Sequence, residues 1–168
     1  MIQMLEPMLS EIREETFTTK RVLERVPADK LSWRPHPKSM SLGQLALQVA
    51  TIPGSLAKLA QLEEFDASQA SFEPPVPVDL NEIHTAFDQS VRSAEKCLSG
   101  MSETAALGTW RLTLRGKELF TKPRVGLLRS VMLNHWPHHR GQLSVYLRLL
   151  DVPVPVIYGR TADENPFA

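Results

Sequence analysis

Four stretches of this chain place apolar residues at steps of three and four, and each is closed off by proline or glycine. Stripes of about 20–28 residues fold as amphipathic helices that must bury one face against one another, and four of them give an all-α four-helix bundle. The first runs from about Ile2 to Arg25, with Ile2, Leu5, Leu9, Ile12, Thr16, Leu23 and Val26 as its inner stripe and Pro27 as its stop. Trp33-Arg34-Pro35-His36-Pro37 cannot continue a helix, because its prolines hold the backbone extended. The second helix opens at Ser41, where Ser41 with Gln44 fits a capping box and Met40 with Leu45 a hydrophobic staple. It continues through Val49, Ile52, Leu56 and Leu59, with a bend expected at Pro53. After a proline-rich loop at Phe72–Pro77, the third starts at Asp79, carries Ile83, Phe87, Val91, Ala94 and Leu98, and ends at Gly100.

Trp110 to Phe120 breaks this rhythm. Leu112 and Leu114 alternate with Thr113 and Arg115, and Gly116 follows, which predicts a small β-hairpin or extended loop before the last helix. Pro123 suits the first turn of that helix, which runs to about Leu150 before the extended tail Asp151–Pro155. The first two connections, at about 15 residues each, are longer than an up-down-up-down bundle needs and predict crossover connections. Residues 1–168 read as one such domain, without internal repeats.

The function classes narrow quickly. Nineteen basic and nineteen acidic residues, with no basic cluster, argue against a nucleic-acid partner. A single cysteine, Cys97, excludes an intrachain disulfide and a cysteine-rich zinc site. No apolar run approaches the roughly 20 residues that span a membrane. The N-terminus turns acidic where a signal peptide would stay apolar, so a soluble cytoplasmic protein is expected.

The run Asn134-His135-Trp136-Pro137-His138-His139-Arg140-Gly141-Gln142-Leu143 holds three of the five histidines. His135 and His139 are four apart, hence on one helix face. Stepping by about 100° per residue from Leu128, Val131, Met132, Leu143, Tyr146 and Leu150 places both near the middle of the apolar stripe, with Arg129, Arg140 and Arg148 on the far side. A single core histidine is usually satisfied by a backbone carbonyl or a carboxylate. Two at this spacing in mid-stripe favour a divalent metal, because each ring nitrogen needs a partner. Pro137, opposite the histidines, is expected to bend this helix without ending it.

A pair supplies two ligands, and a catalytic metal site usually has three. Neither ExxH nor HExxH occurs. His36, in the proline loop, reads as solvated or loop-packed and His84 as surface, while Cys97 reads as a small buried hydrophobe with no base nearby in sequence. Gln48 differs: it lies at the inner edge of the second helix's apolar stripe, where its amide could offer oxygen to a metal or hydrogen-bond an imidazole.

Three segments now resemble a known family: Trp33-Arg34-Pro35 with Ser41–Gln48, His135–Arg148, and Val152-Pro153-Val154-Pro155-Val156-Ile157-Tyr158-Gly159. The chain resembles the DinB/YfiT-like superfamily of bacterial four-helix bundles. That resemblance implies zinc or nickel held by three histidines, one on the second helix and two on the last. Carried over, His135 and His139 match the last-helix pair, and the remaining position falls on Gln48, a departure from the family pattern. His138 and Gln142 stand behind the ligands as supporting groups. The resemblance further implies a homodimer and a low-molecular-weight thiol as co-substrate. In such enzymes the metal lowers the thiol pKa, so that a thiolate attacks a small electrophile. Two functions are therefore expected in competition: a metal- and thiol-dependent S-transferase or hydrolase-like enzyme, whose catalytic residues the sequence does not name, or a non-catalytic binding or stress-associated bundle that has lost the metal.

Overall fold

The computed structural model describes residues 4–71 and 74–167, which are mostly helical with one small three-stranded sheet. Helix α1 spans Glu6–Leu23. Ile2, expected on its stripe, lies outside the described residues, and Pro7 occupies the first turn, where a missing N–H disrupts no helical bond. Leu9, Ile12, Glu15, Thr19, Val22 and Leu23 are buried, whereas Thr16, expected inside, is half-buried and donates to the Ile12 carbonyl at 2.7 Å. The stripe turns toward Glu15 and Thr19 because a buried cation on the last helix draws them in.

Helix α2 spans Leu42–Leu59 and begins with the expected capping box. The Gln44 N–H donates to Ser41 Oγ at 3.2 Å, and the Ser41 N–H donates to Gln44 Oε1 at 3.0 Å. The helix continues through Pro53. Proline interrupts the backbone ladder there, and Ser90 of the neighbouring helix fills the gap. Its hydroxyl accepts from the Gly54 N–H at 2.8 Å and donates to the Thr51 carbonyl at 3.1 Å. Helix α3, Leu80–Ser99, starts on the Asp79 side chain, which accepts from the Glu82 N–H at 2.8 Å, and ends at Gly100.

Between α3 and the last helix the sequence pattern is coarser than the structure. A short helix α4, Glu103–Leu107, capped by Ser102, was not expected. Strands β2, Thr109–Leu114, and β3, Lys117–Pro123, form the hairpin, with Leu112 opposite Phe120. Arg115 and Gly116 turn it at φ of 52° and 77°, the left-handed pair that a two-residue hairpin loop requires. A further strand, β1 (Glu64–Asp66), pairs in parallel with β2. Trp110 anchors the hairpin, buried and donating its indole N–H to the Leu59 carbonyl at 3.0 Å.

The last helical run is composite. Helix α5, Arg124–Leu127, passes into a π-helical turn, Leu128–Met132, and then into α6, Leu133–Leu149. Pro123 closes β3 in an extended conformation, one residue ahead of its expected place in the first helical turn. Helix α2 packs between α3 and α6, and α1 packs against the same two helices. Ile12, Leu23, Leu42, Leu45, Ile83, Phe87, Trp136 and Leu143 fill the space between them. No described helix is long and apolar enough to cross a membrane.

Candidate functional site

The π turn sets the position of every residue after it. A π turn takes more residues per turn than an α turn, so the stripe upstream is out of phase with the stripe downstream. On α6 the buried positions are Leu133, Trp136, Arg140, Leu143 and Leu147. His135 and His139 are half-buried on the flank of this stripe, not at its middle, and Arg140 is 1% exposed, not on the outer face. Extrapolating one α-helical phase from Leu128 through Leu150 produced both errors.

The two imidazoles nevertheless meet. His135 Nε2 lies 2.7 Å from His139 Nε2, with ring centroids 4.6 Å apart. His139 Nδ1 lies 2.7 Å from Gln142 Oε1, and Gln142 Nε2 lies 3.2 Å from His138 Nε2. An amide oxygen only accepts, so the Gln142 contact places the His139 proton on Nδ1 and leaves Nε2 bare. His135 Nε2–H then donates to it. Burial, followed by the charges of His139 and His138, pushes the His135 pKa below the ordinary imidazole value. Burial also lowers that of His139, against the Gln142 hydrogen bond, which raises it. Both shifts favour the neutral ring, the form that ligates a metal, and for His135 Nε2 to do so its proton must sit on Nδ1.

The donor geometry fits a divalent cation in part. Two imidazole nitrogens at about 2.0–2.1 Å from a tetrahedral ion stand about 3.3 Å apart. The observed 2.7 Å becomes that value with a shift of a few tenths of an ångström per ring. However, among the described residues no group of three or more His, Cys, Asp or Glu side chains could hold a metal ion. A third protein donor among the described residues would have to be of another type, such as an amide or a hydroxyl. Gln48 is half-buried between buried Leu47 and Val49, and among the described residues no hydrogen bond is found for its side chain. A surface depression lined by Ser130, Val131, Asn134, His135 and His138 opens beside the pair.

Pro137 lies inside α6, and the helix continues past His139, as the i,i+4 argument requires. The other candidates stay apart from this pair. His36 is exposed and accepts from the Lys38 N–H at 3.1 Å; His84 is half-buried on α3; Cys97 is buried.

Sequence reasoning missed the polar cluster one residue beyond His139. Arg140 pairs with the Glu15 carboxylate and donates to Thr19 Oγ1 at 3.0 Å and to Tyr158 Oη at 2.6 Å. Tyr158 in turn donates to Glu15 Oε1 at 2.8 Å. The signal was present as Glu15 and Thr19 at i,i+4, but their partners lie more than a hundred residues away. The tail is tied down by two further carboxylates. Asp163 pairs with Arg148 and accepts from the Val154 N–H at 2.8 Å, while Glu164 pairs with Arg21 and Arg25 and accepts from the Val156 N–H at 2.8 Å. Arg140 thereby ties α6 to α1 beside His139, and the two tail carboxylates tie the tail to the same two helices.

The chain belongs to the DinB family, whose sequence model matches residues 1–165. It is 25% identical over 164 residues to the uncharacterized protein YrdA of Bacillus subtilis, covering 98% of this chain and 93% of that one. Among solved structures it is similar to a DinB-like protein from Bacillus subtilis, at a TM-score of 0.69 and 20% identity over 93% of this chain and 100% of the other. A DinB-like protein from Bacillus cereus matches at a TM-score of 0.64 and 24% identity, covering 87% and 92%. A putative DinB-family member from Exiguobacterium sibiricum matches at 0.65 and 21%, covering 93% and 97%. These likenesses establish the shared fold.

Proposed function

We propose that this DinB-family protein uses His135 and His139, with Gln48 as a neutral third donor, to hold zinc or nickel weakly for thiol-dependent transfer to a small electrophile. The observation that carries the reading is the convergence of the two Nε2 atoms while Gln142 holds His139 with its Nε2 lone pair facing inward. We read the ring of α1, α3, α2 and α6 as a four-helix bundle with crossover connections, since α1 and α2 follow each other in sequence yet both pack chiefly on α3 and α6.

Helix register supports Gln48. Tyr146 Oη donates to the Met40 carbonyl at 3.3 Å, and α2 also packs on the π turn that precedes α6, an arrangement that fits two antiparallel helices. At about 1.5 Å per residue, His139 lies about 10 Å along α6 from it and Gln48 about 12 Å along α2. Similar distances from one shared contact support reading the two residues at one level on facing helices. When bound, the metal supplies Lewis acidity that lowers a thiol's pKa. The chain's own part is to present two neutral imidazoles, fix one tautomer through Gln142, and leave an open approach beside His135 and His138.

The test is Gln48→His. Replacing a neutral amide by a third imidazole should tighten zinc binding by about tenfold or more, about 1.4 kcal/mol, in calorimetric titration. Equal affinities would refute Gln48 as the third position. Turnover with bacillithiol, mycothiol or glutathione should require added metal and vanish in His139→Ala. The homodimer implied by the resemblance and the cytoplasmic setting expected from the sequence belong to this proposal, and light scattering of the purified chain tests the first.

A second reading rests on Gln48 itself. An amide at the position where the resemblance implies an imidazole suits a bundle kept for non-catalytic binding. Protein purified without metal and inert toward all three thiols after zinc loading would favour it.

A further inference from the structure

A cleft of about 660 Å³ lies at the far end of α2 and α3, within the size range of small-molecule sites. Its charged lining residues are Lys58, Lys96 and Arg124, and no acidic residue lines it. Lys58 and Lys96 enter none of the ion pairs found among the described residues. Arg124 is held in place by the carbonyls of Leu62, at 3.0 Å, and Ala105, at 3.5 Å. The whole chain carries no net charge, so three cations gathered without a carboxylate stand out.

Helix polarity offers a simpler account, since lysines in last turns offset the negative ends of α2 and α3. The magnitudes do not balance. Two helix ends contribute about half a negative charge each against three full positive charges, which leaves about +2 in the cleft. The floor is apolar: Ala60, Cys97 and Met101 are all buried there. Cationic walls over an apolar floor suit a ligand with an anionic head and a small carbon body.

We infer that this cleft binds a small organic anion, a carboxylate or phosphate ester with an apolar body, at a site separate from the histidine pair. Lys58 lies ten residues beyond Gln48 on α2, about 15 Å along the axis. The inference does not depend on the metal reading.

Amide NMR titration of the full chain with phenyl phosphate and benzoate tests it, with benzyl alcohol as the neutral control. The anions should move signals of residues 96–105 and leave those of residues 134–142 in place. The alcohol should bind at least about tenfold more weakly, because it lacks the charge the lysines attract. Lys58→Ala with Lys96→Ala should weaken anion binding by about tenfold or more while leaving the remaining spectrum unchanged, since both side chains are exposed. Which anion binds more tightly assigns the head group. Because Cys97 is the only thiol, its alkylation by iodoacetamide gives a second readout, slowed by bound anion in the wild type and not in the double variant. Undiminished binding in the double variant, equal binding of the alcohol, or no shifts at 10 mM ligand, a ceiling of about −2.7 kcal/mol in affinity, would each overturn the inference.

Discussion

Removing the guanidinium of Arg140 should destabilise this protein more than any surface substitution on α6. Arg140 is 1% exposed, and its partner Glu15 is 9% exposed. Arg140→Ala leaves the Glu15 carboxylate buried without its cation, and breaking one side of such a pair costs about 3–5 kcal/mol. The Tyr158 hydroxyl, which both accepts from Arg140 and donates to Glu15, cannot make up the loss with one proton. At about 2–4 °C per kcal/mol for a chain of this size, a loss of about 4 kcal/mol lowers Tm by roughly 8–16 °C.

Glu15→Leu alone should cost a similar amount, because it strands Arg140. The double variant Arg140→Met with Glu15→Leu should recover most of the loss, since an apolar pair of similar volume removes both desolvation penalties. Urea unfolding of the wild type, Arg140→Met, Glu15→Leu and the double variant, followed by far-UV circular dichroism, gives the four free energies of the cycle, and the coupling between the two sites should be about 2 kcal/mol or more. Should Arg140→Ala cost less than about 1 kcal/mol, or the double variant be as unstable as either single one, the account of a dry, mutually dependent pair is refuted.

The histidine pair should respond to pH in a definite sense. Both folded-state pKa values lie below the ordinary imidazole value, so as pH falls through that window the unfolded chain takes up protons first and stability declines; His139→Gln should flatten that part of the unfolding free energy against pH. Asp163 is held low chiefly by Arg148 and Glu164 chiefly by the Val156 N–H, so their contribution is present at neutral pH and fades as pH falls through their lowered values. Tail cleavage by pepsin should rise across that acid range in the wild type, and Asp163→Asn with Glu164→Gln should make cleavage fast throughout. Gly54→Ala should lower stability by about 1–3 kcal/mol in urea unfolding, since its new Cβ would stand 2.7 Å from the Ser90 carbonyl, which belongs to helix backbone and cannot swing aside.

What the sequence made legible follows the range of the interactions involved. Ser41 and Gln44 bond within one turn, as does Asp79 to Glu82, so those helix starts appear in the residues that make them. The Arg115-Gly116 hairpin is equally local. Strand β1 is three residues long and owes its form to pairing with Arg111–Thr113, a partner some 47 residues on, so nothing in Glu64–Asp66 announces it. Arg140 was misplaced too. Its helical phase was carried from Leu128 across the π turn, and only Glu15 and Tyr158, brought in by α1 and the tail, show why a guanidinium can sit inside.

The misplaced phase of α6 also bears on the site. Had one α-helical phase run from Leu128 to Leu150, His135 and His139 would have been fully buried, neutral but cut off from any ligand. The π turn rotates α6 so that Trp136 and Arg140 take the inner positions and the imidazoles rest on the boundary. There, partial desolvation still lowers both pKa values, while the depression beside His135 and His138 leaves them within reach of solvent. A ligand site needs both conditions together. Arg140 is then the residue that holds this compromise, because its ion pair keeps the rotated face turned toward α1. Reversing the rotation would break a buried ion pair to bury two imidazoles, and the Arg140–Glu15 cycle measures the first of these terms.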